Sequence, residues 1–236
     1  MSQAEEAAAV AQRYARRSAL DKRYSLLRPE VWHMVQERQR ALLALLARLV
    51  RQGMPELAAL RVIEVGCGAG GNLLELLRLG FQPENLIGIE LLPERAAIAR
   101  HVLPAAVQVI EGDACAQMQW PAQSADIVLQ STVFSSLLDD GFQQRLADAM
   151  WAWVNPGGGV LWYDFTVNNP RNPDVRGVPV ARVRELFAQA QISHQRVTLA
   201  PPLARAVCRL HPGLYSLLNT MPFLRTHVLA WVAKPP

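Results

Sequence analysis

The residues best suited to chemistry lie in one decapeptide, Val62-Ile63-Glu64-Val65-Gly66-Cys67-Gly68-Ala69-Gly70-Gly71. An apolar run ends in closely spaced glycines and passes into residues 72–79, which read as a helix. Glycines are needed where a backbone turns sharply and a ligand comes closer than a Cβ allows, and a helix start offers free N–H groups. Polar groups recur after the next apolar runs: Glu90, then Glu111-Gly112-Asp113-Ala114, then Gln130 at the end of Ser124-Ala125-Asp126-Ile127-Val128-Leu129-Gln130. Such groups gather into one site only if every run that carries them ends at the same edge of a sheet.

The rest of the chain supplies that arrangement. Strands are expected at residues 61–65, 85–90, 107–111, 126–130 and 160–164, with helices at 72–79, 93–102 and 140–154 between them. Asn155-Pro156-Gly157-Gly158-Gly159 reads as the stop of the last helix. Strand alternating with helix predicts a mostly parallel sheet covered on both faces, an α/β doubly wound fold whose ligands bind at the carboxyl ends of the strands. A helix at 180–190, a sixth strand at 196–199 and a seventh at 226–233 close the chain, the last two as an antiparallel pair. Residues 201–225 between them form an amphipathic insertion. Ahead of the sheet, residues 2–19 and 30–52 read as helices, so residues 1–58 are expected to be a helical cover and 59–236 the catalytic domain.

The glycine string fits two templates. Gly66-x-Gly68-x-x-Gly71 matches the dinucleotide fingerprint, and Glu64-x-Gly66-x-Gly68-x-Gly70 matches the loop that binds S-adenosylmethionine. Glu90, 24 residues past Gly66, can accept hydrogen bonds from ribose hydroxyls, which both cofactors require, and Asp113 can accept from an adenine amino group. The order of all five segments resembles the class I S-adenosylmethionine-dependent methyltransferases, and the chain end, with Tyr163-Asp164-Phe165, Asn168-Asn169-Pro170-Arg171-Asn172-Pro173, Leu199-Ala200-Pro201-Pro202 and Arg225-Thr226-His227, is similar to methyltransferases of bacterial polysaccharide and secondary-metabolite pathways. The resemblance implies a seven-stranded sheet with an antiparallel last strand and S-adenosylmethionine as cofactor. It places Gly66, Cys67, Gly68, Gly70 and Asn72 around the methionine part, with Glu64 holding the loop or the amino group. It places Glu90 and Leu91 at the ribose, Asp113 and Ala114 at the adenine, and Gln130 beside the methyl group. Glutamate stands at 64 and 90 where aspartate is the commoner choice.

Methyl transfer needs an acceptor nucleophile held in line with the methyl carbon and a group to take its proton. His227, second residue of the seventh strand, starts at the edge where its parallel neighbours end, and histidine has a suitable pKa for a general base. Asp164 competes for the same role. Tyr163, one residue earlier, is expected on the other face. Asn168, Asn169 and Arg171 follow the fifth strand, and Arg205, His211, Tyr215 and Arg225 lie in the insertion. These are the candidate acceptor contacts. Together they point to a sugar or other hydroxylated acceptor that is anionic or lipid-linked, and the resemblance to the polysaccharide and secondary-metabolite enzymes implies O-methylation of a glycan or small molecule. Tyr14, Tyr24 and Arg28 of the helical cover could reach the site, although the sequence alone does not place them there.

The formal charge of +4 is segregated. Residues 61–165 hold five basic and twelve acidic side chains, whereas residues 166–236 hold nine basic and two acidic. An arginine-rich end suits a phosphate or carboxylate partner. RNA or DNA remains an alternative acceptor, but no aromatic stacking platform or continuous basic stripe accompanies the arginines, and the Asn/Asp-Pro-Pro-Tyr string of base methylases is absent. With 51% hydrophobic residues a disordered chain is excluded. No apolar run reaches the length of a membrane span, which leaves only peripheral membrane contact, and the acidic start does not read as a secretory signal. Cys67, Cys115 and Cys208 show no metal spacing and read as buried thiols of a cytoplasmic protein with no metal.

Overall fold

The computed structural model describes residues 3–16, 25–116, 121–170 and 172–236. Seven strands form one sheet in the order β3-β2-β1-β4-β5-β7-β6. They are β1 (Val62–Val65), β2 (Leu86–Glu90), β3 (Gln108–Glu111), β4 (Ala125–Ser131), β5 (Val154–Phe165), β6 (Gln191–Leu199) and β7 (Arg225–Ala233). The first five pair in parallel, and β7 runs antiparallel to both β5 and β6. The expected doubly wound sheet with an antiparallel last strand is the observed one.

The central strands are continuous apolar runs because both of their faces are covered. On one face, α2 (Pro29–Arg51), α3 (Gly71–Leu79) and α4 (Pro93–Val102) bury Leu45, Leu46, Leu73, Leu76 and Ala99 against Val62, Ile127, Leu161 and Leu229. On the other, α5 (Asp140–Trp153) and α6 (Val180–Leu186) pack Leu146, Met150 and Val183 against Ile63, Val128 and Trp162. There the Phe134 and Trp162 rings lie 4.5 Å apart. α5 is capped by Asp139, whose Oδ1 accepts from the Phe142 N–H at 2.6 Å. The helical insertion is α7 (Pro201–Leu210), α8 (Gly213–Leu218) and a 3-10 turn, Pro222–Leu224. α2 packs on β6, α7 and α8, which ties the insertion to the sheet.

Some expected boundaries move. Residues 155–159 do not merely stop a helix. They are the bulged start of β5: Val154 pairs with Ala125 and Gly159 with Ile127, the register slipping between them. β6 begins at Gln191, five residues earlier than expected, because Gln191–Leu199 runs the length of β7. His194 therefore lies inside that strand, opposite Ala230, rather than before it. The helix beginning at Val180 ends at Leu186, not at residue 190.

Candidate cofactor and acceptor site

The carboxyl ends of β1, β2 and β4 converge on the glycine turn. Gly66 has φ +65°, and a Cβ there would stand 2.6 Å from Cγ2 of Val133, on the loop after β4. Only glycine fits the backbone and the contact. Gly68, at φ +58°, lies under the Arg95 guanidinium, whose Nη2 is 3.3 Å from where a Cβ would be. Gly70 is also left-handed and precedes α3 directly, so the turn delivers its N–H groups to a helix start.

Carboxylates fasten this turn. Glu90, 4% exposed at the end of β2, accepts from the Gly68 N–H at 2.7 Å through Oε2 and from the Leu92 N–H at 2.9 Å through Oε1. Glu64, on β1, is fully buried. Its Oε1 accepts from Asn72 Nδ2 at 2.6 Å, while Oε2 has no protein partner. Burial raises the Glu64 pKa to about 8, against the lowering by Asn72 and Arg38. A buried carboxylate oxygen without a donor, beside a glycine cradle that a Cβ would fill, fits a ligand that brings an ammonium group. Leu91 and Asp113 are half-buried and Ala114 buried after β2 and β3, and Asp113 Oδ1 accepts from the Cys115 N–H at 2.8 Å. Gln130 is buried, with Oε1 accepting from the Val133 N–H at 3.1 Å. Cys67 is a buried thiol raised to about 12 by desolvation, as its reading as a small core residue implies.

The N-terminal helix α1 (Gln3–Arg16) crosses this edge. Arg13 donates to the Ser136 carbonyl at 3.0 Å and Glu6 accepts from the Leu138 N–H at 3.0 Å. The Tyr14 hydroxyl meets Ser136 Oγ at 3.2 Å, and Arg95 stacks over the Tyr14 ring. Tyr14 thus reaches the loop after β4. Arg28 instead pairs with Glu30 at 2.8 Å, and Tyr24 lies outside the described residues.

Beyond Asn72 the same edge opens into a cleft of about 350 Å³ counting its mouth, of which about 30 Å³ is deep enough to hold a water. Its walls are the apolar Leu42, Leu76, Leu129 and Leu161 with Arg38, Glu75, Ser131 and Tyr163 among them. Arg38 donates to Glu75 Oε2 at 3.3 Å and lies 5.5 Å over the Tyr163 ring. His227 stacks on the same ring, with centroids 5.3 Å apart and planes at 19°. Desolvation and the nearby Arg38 charge push the His227 pKa down to about 4, so the ring is neutral at pH 7. Tyr163 and His227 share one face of the sheet, because His227 pairs with Phe165, two residues along β5.

Asp164 faces the other way. It is fully buried, its Oδ2 accepting from the Ser135 N–H at 3.1 Å and its Oδ1 from the Phe165 N–H at 2.9 Å, and burial raises its pKa to about 7. The two candidate bases, Asp164 on β5 and His227 on β7, are therefore on opposite faces of the sheet.

Several acceptor candidates are held by the protein itself. Arg225 spends its guanidinium on the carbonyls of Asn219 and Arg196 and sits 3.9 Å from Glu37. Tyr215 is buried, donates to Glu37 Oε2 at 3.0 Å and stacks on His33 at 5.0 Å. Exposed Asn168 accepts from the Gly177 N–H at 2.9 Å, and the Asn169 carbonyl from the Asn172 N–H at 3.0 Å. His211 is exposed, with Nδ1 accepting from the Gly213 N–H, and Arg205 is half-buried on α7. Arg171 lies outside the described residues.

The sequence reading missed Arg38, Glu37 and Thr198. Glu37 Oε2 accepts from the Thr198 N–H at 2.8 Å as well as from Tyr215, and Thr198 Oγ1 meets the Tyr163 hydroxyl at 2.9 Å. Thr198 and Thr132 both have left-handed backbones, at φ +65° and +58°. The Thr132 N–H donates to the Tyr163 carbonyl at 2.8 Å. Two β-branched residues in an unfavourable conformation thus brace the two ends of one tyrosine, a cost borne where geometry matters. Nothing in the sequence flags these positions: a threonine in a strand is ordinary, and Glu37 and Arg38 sit in a helix whose apolar stripe dominates the pattern.

Residues 62–158 match the family model described as a methyltransferase domain. A phthiotriol/phenolphthiotriol dimycocerosates methyltransferase of Mycobacterium ulcerans is 31% identical over 144 residues, 58% of this chain and 50% of that protein. A trans-aconitate 2-methyltransferase of Afipia carboxidovorans is 30% identical over 171 residues, 72% of this chain and 59% of that protein. The chain thus spans between half and three-fifths of the length of these relatives. Among solved structures, an S-adenosylmethionine-dependent methyltransferase from Archaeoglobus fulgidus superimposes with a TM-score of 0.58 at 16% identity, covering 86% of this chain and 99% of that one. Residues 62–158 thus match a methyltransferase domain, and the sheet order with its glycine turn after β1 is the fold shared with the S-adenosylmethionine-dependent methyltransferase from Archaeoglobus fulgidus.

Proposed function

We propose that the protein is an S-adenosylmethionine-dependent methyltransferase that methylates an oxygen of a small hydroxylated acceptor, a sugar or secondary metabolite with an anionic or lipid-linked portion. The observation that carries the cofactor is Glu64, buried with one oxygen unpartnered beside a glycine turn that Glu90 holds in place. The acceptor reading rests on the arginine-rich end of the chain and on the relatives, one named for a lipid and the other for a small acid.

When bound, S-adenosylmethionine supplies an electrophilic methyl group on a sulfonium centre. The chain's residues do the rest. Glu90 takes the ribose hydroxyls while still holding Gly68 and Leu92, and Asp113, Leu91 and Ala114 line the adenine. Glu64 and Asn72 hold the amino group, and Arg38, which lines the same cleft as Asn72, holds the carboxylate. Gln130, with Oε1 fixed by Val133, forms the wall beside the methyl. The leucine-walled cleft orients the acceptor beside Tyr163, whose hydroxyl stays protonated because burial raises its pKa to about 12. His227, neutral and on the Tyr163 face, takes the acceptor proton. Asp164 braces the loop after β4 through Ser135.

Calorimetry with S-adenosylmethionine, S-adenosylhomocysteine and NAD tests this first. The first two are expected to bind and NAD not to. Binding of NAD without S-adenosylmethionine contradicts the proposal. Transfer of a labelled methyl group to hydroxylated acceptors with and without a carboxylate or phosphate then tests the acceptor class, and equal rates for both sets contradict the anionic part.

A further inference from the structure

From residue 186 to 236 the chain contains no aspartate or glutamate, yet it carries Arg196, Arg205, Arg209, Arg225 and Lys234. Within this stretch α7 and α8 turn Ala204, Val207, Cys208 and Tyr215 inward against Leu199. On the outside, Leu210 is 81% exposed, Phe223 74% and Leu217 59%. The start of α2 lies beside them, because His33 stacks on Tyr215 and Met34 packs into the same cluster. The turn before it presents Leu27, 94% exposed, and Trp32 is half-exposed. The carboxylates at this end are withdrawn: Glu30 is buried and paired with Arg28, and Glu37 is buried under Tyr215.

Large apolar tips in water are costly to leave unpartnered, and here the exposed charge among them is cationic, as on Arg209. That pairing is the chemistry of interfacial association, in which apolar side chains enter the acyl boundary and arginines meet lipid phosphates. We infer that the surface of α7, α8 and the start of α2 docks on an anionic lipid bilayer. The face adjoins the active edge: β6 enters α7 at Leu199, and β7 begins at Arg225, two residues before His227. An acceptor held in the bilayer meets the mouth of the cleft. The inference stands on this surface and not on methyl transfer, so the two fail separately.

The test is cosedimentation of the full chain, without cofactor, with phosphatidylcholine vesicles made with or without phosphatidylglycerol. Phosphatidylglycerol is expected to raise partitioning about tenfold, and Arg209→Gln to lower it about fivefold. Leu217→Ser combined with Phe223→Ser is expected to lower it at least about tenfold, with the melting temperature and S-adenosylmethionine binding unchanged. Absence of binding to the anionic vesicles overturns the inference, as does binding that the double variant retains. A dimer in light scattering that the double variant splits, with no vesicle binding, assigns the face to a second copy instead.

Discussion

The two halves of the active edge are built differently. The proposed cofactor half, at β1, β2 and β4, is made mostly by backbone: a left-handed turn and its N–H groups, held by carboxylates at the ends of neighbouring strands, such as Glu90 on the Gly68 N–H. The proposed acceptor half, at β5 to β7, is made by side chains from distant parts of the chain, such as Glu37 of α2 holding Thr198 of β6 and Tyr215 of α8. The first half draws on the acidic stretch 61–165, whereas the second, β5 apart, draws largely on the basic stretch 166–236. A conserved cofactor can be gripped by a local motif, whereas a particular acceptor is fitted by contacts that any of several elements can supply.

Substitutions should separate the halves. The largest effect is expected at His227. His227→Ala should lower kcat by about 10²- to 10⁴-fold with the S-adenosylmethionine Kd unchanged. Because burial depresses the His227 pKa to about 4, rate should stay level as pH falls through 6.5 and decline only near 4. An acid limb at 6.5 with unchanged rate in His227→Ala would remove it as the base and favour Asp164.

Glu90→Ala comes next. It frees two backbone N–H groups and removes the ribose acceptor, and charge-assisted hydrogen bonds contribute about 1.5–3 kcal/mol each, so cofactor affinity should fall about 100-fold by calorimetry. In the other half, Glu37→Ala leaves the Thr198 N–H and the Tyr215 hydroxyl without their acceptor. It should cost about 2–3 kcal/mol of stability in denaturant titration while leaving cofactor affinity near normal. If Glu37→Ala weakened the cofactor as much as Glu90→Ala, the two halves would not be independent.

Glu64 gives a smaller, pH-dependent effect. Its folded pKa, about 8, lies above the ordinary 4.5, so its contribution to stability is full below 4.5 and is lost as pH rises toward 8. Glu64→Gln should therefore gain stability relative to the parent chain as pH rises through that window. Docking of an ammonium group favours the ionised carboxylate, so cofactor binding at pH 7 should release a proton, read as a buffer-dependent heat that Glu64→Gln abolishes. The smallest effect is expected from Thr198→Gly. Relief of the left-handed strain stabilises by about 1 kcal/mol, offset by the lost hydroxyl contact to Tyr163, so the melting temperature should move little while acceptor KM rises.

How much of this was legible in the sequence follows the same division. The sheet, its antiparallel last strand and the carboxylates at 64 and 90 could be read because strand periodicity and a glycine turn are local signals. The fifth strand's start was misread because a bulge looks like a loop when the pairing partner is unseen. Arg225 looked like an anion site, yet its guanidinium is taken by two carbonyls whose approach depends on the packing of α8. The bracing of Tyr163 by two threonines depends on backbone angles that residue type does not announce.

The central claim is that the turn after β1 holds S-adenosylmethionine. A crystal structure of the complex with S-adenosylhomocysteine tests it most directly. The ribose hydroxyls are expected on Glu90, the amino group within hydrogen-bond distance of Glu64 Oε2, and the sulfur directed at the cleft lined by Arg38, Asn72 and Tyr163. Density for the ligand elsewhere, or a turn left empty at saturating ligand with Glu64 Oε2 still unpartnered, would contradict it.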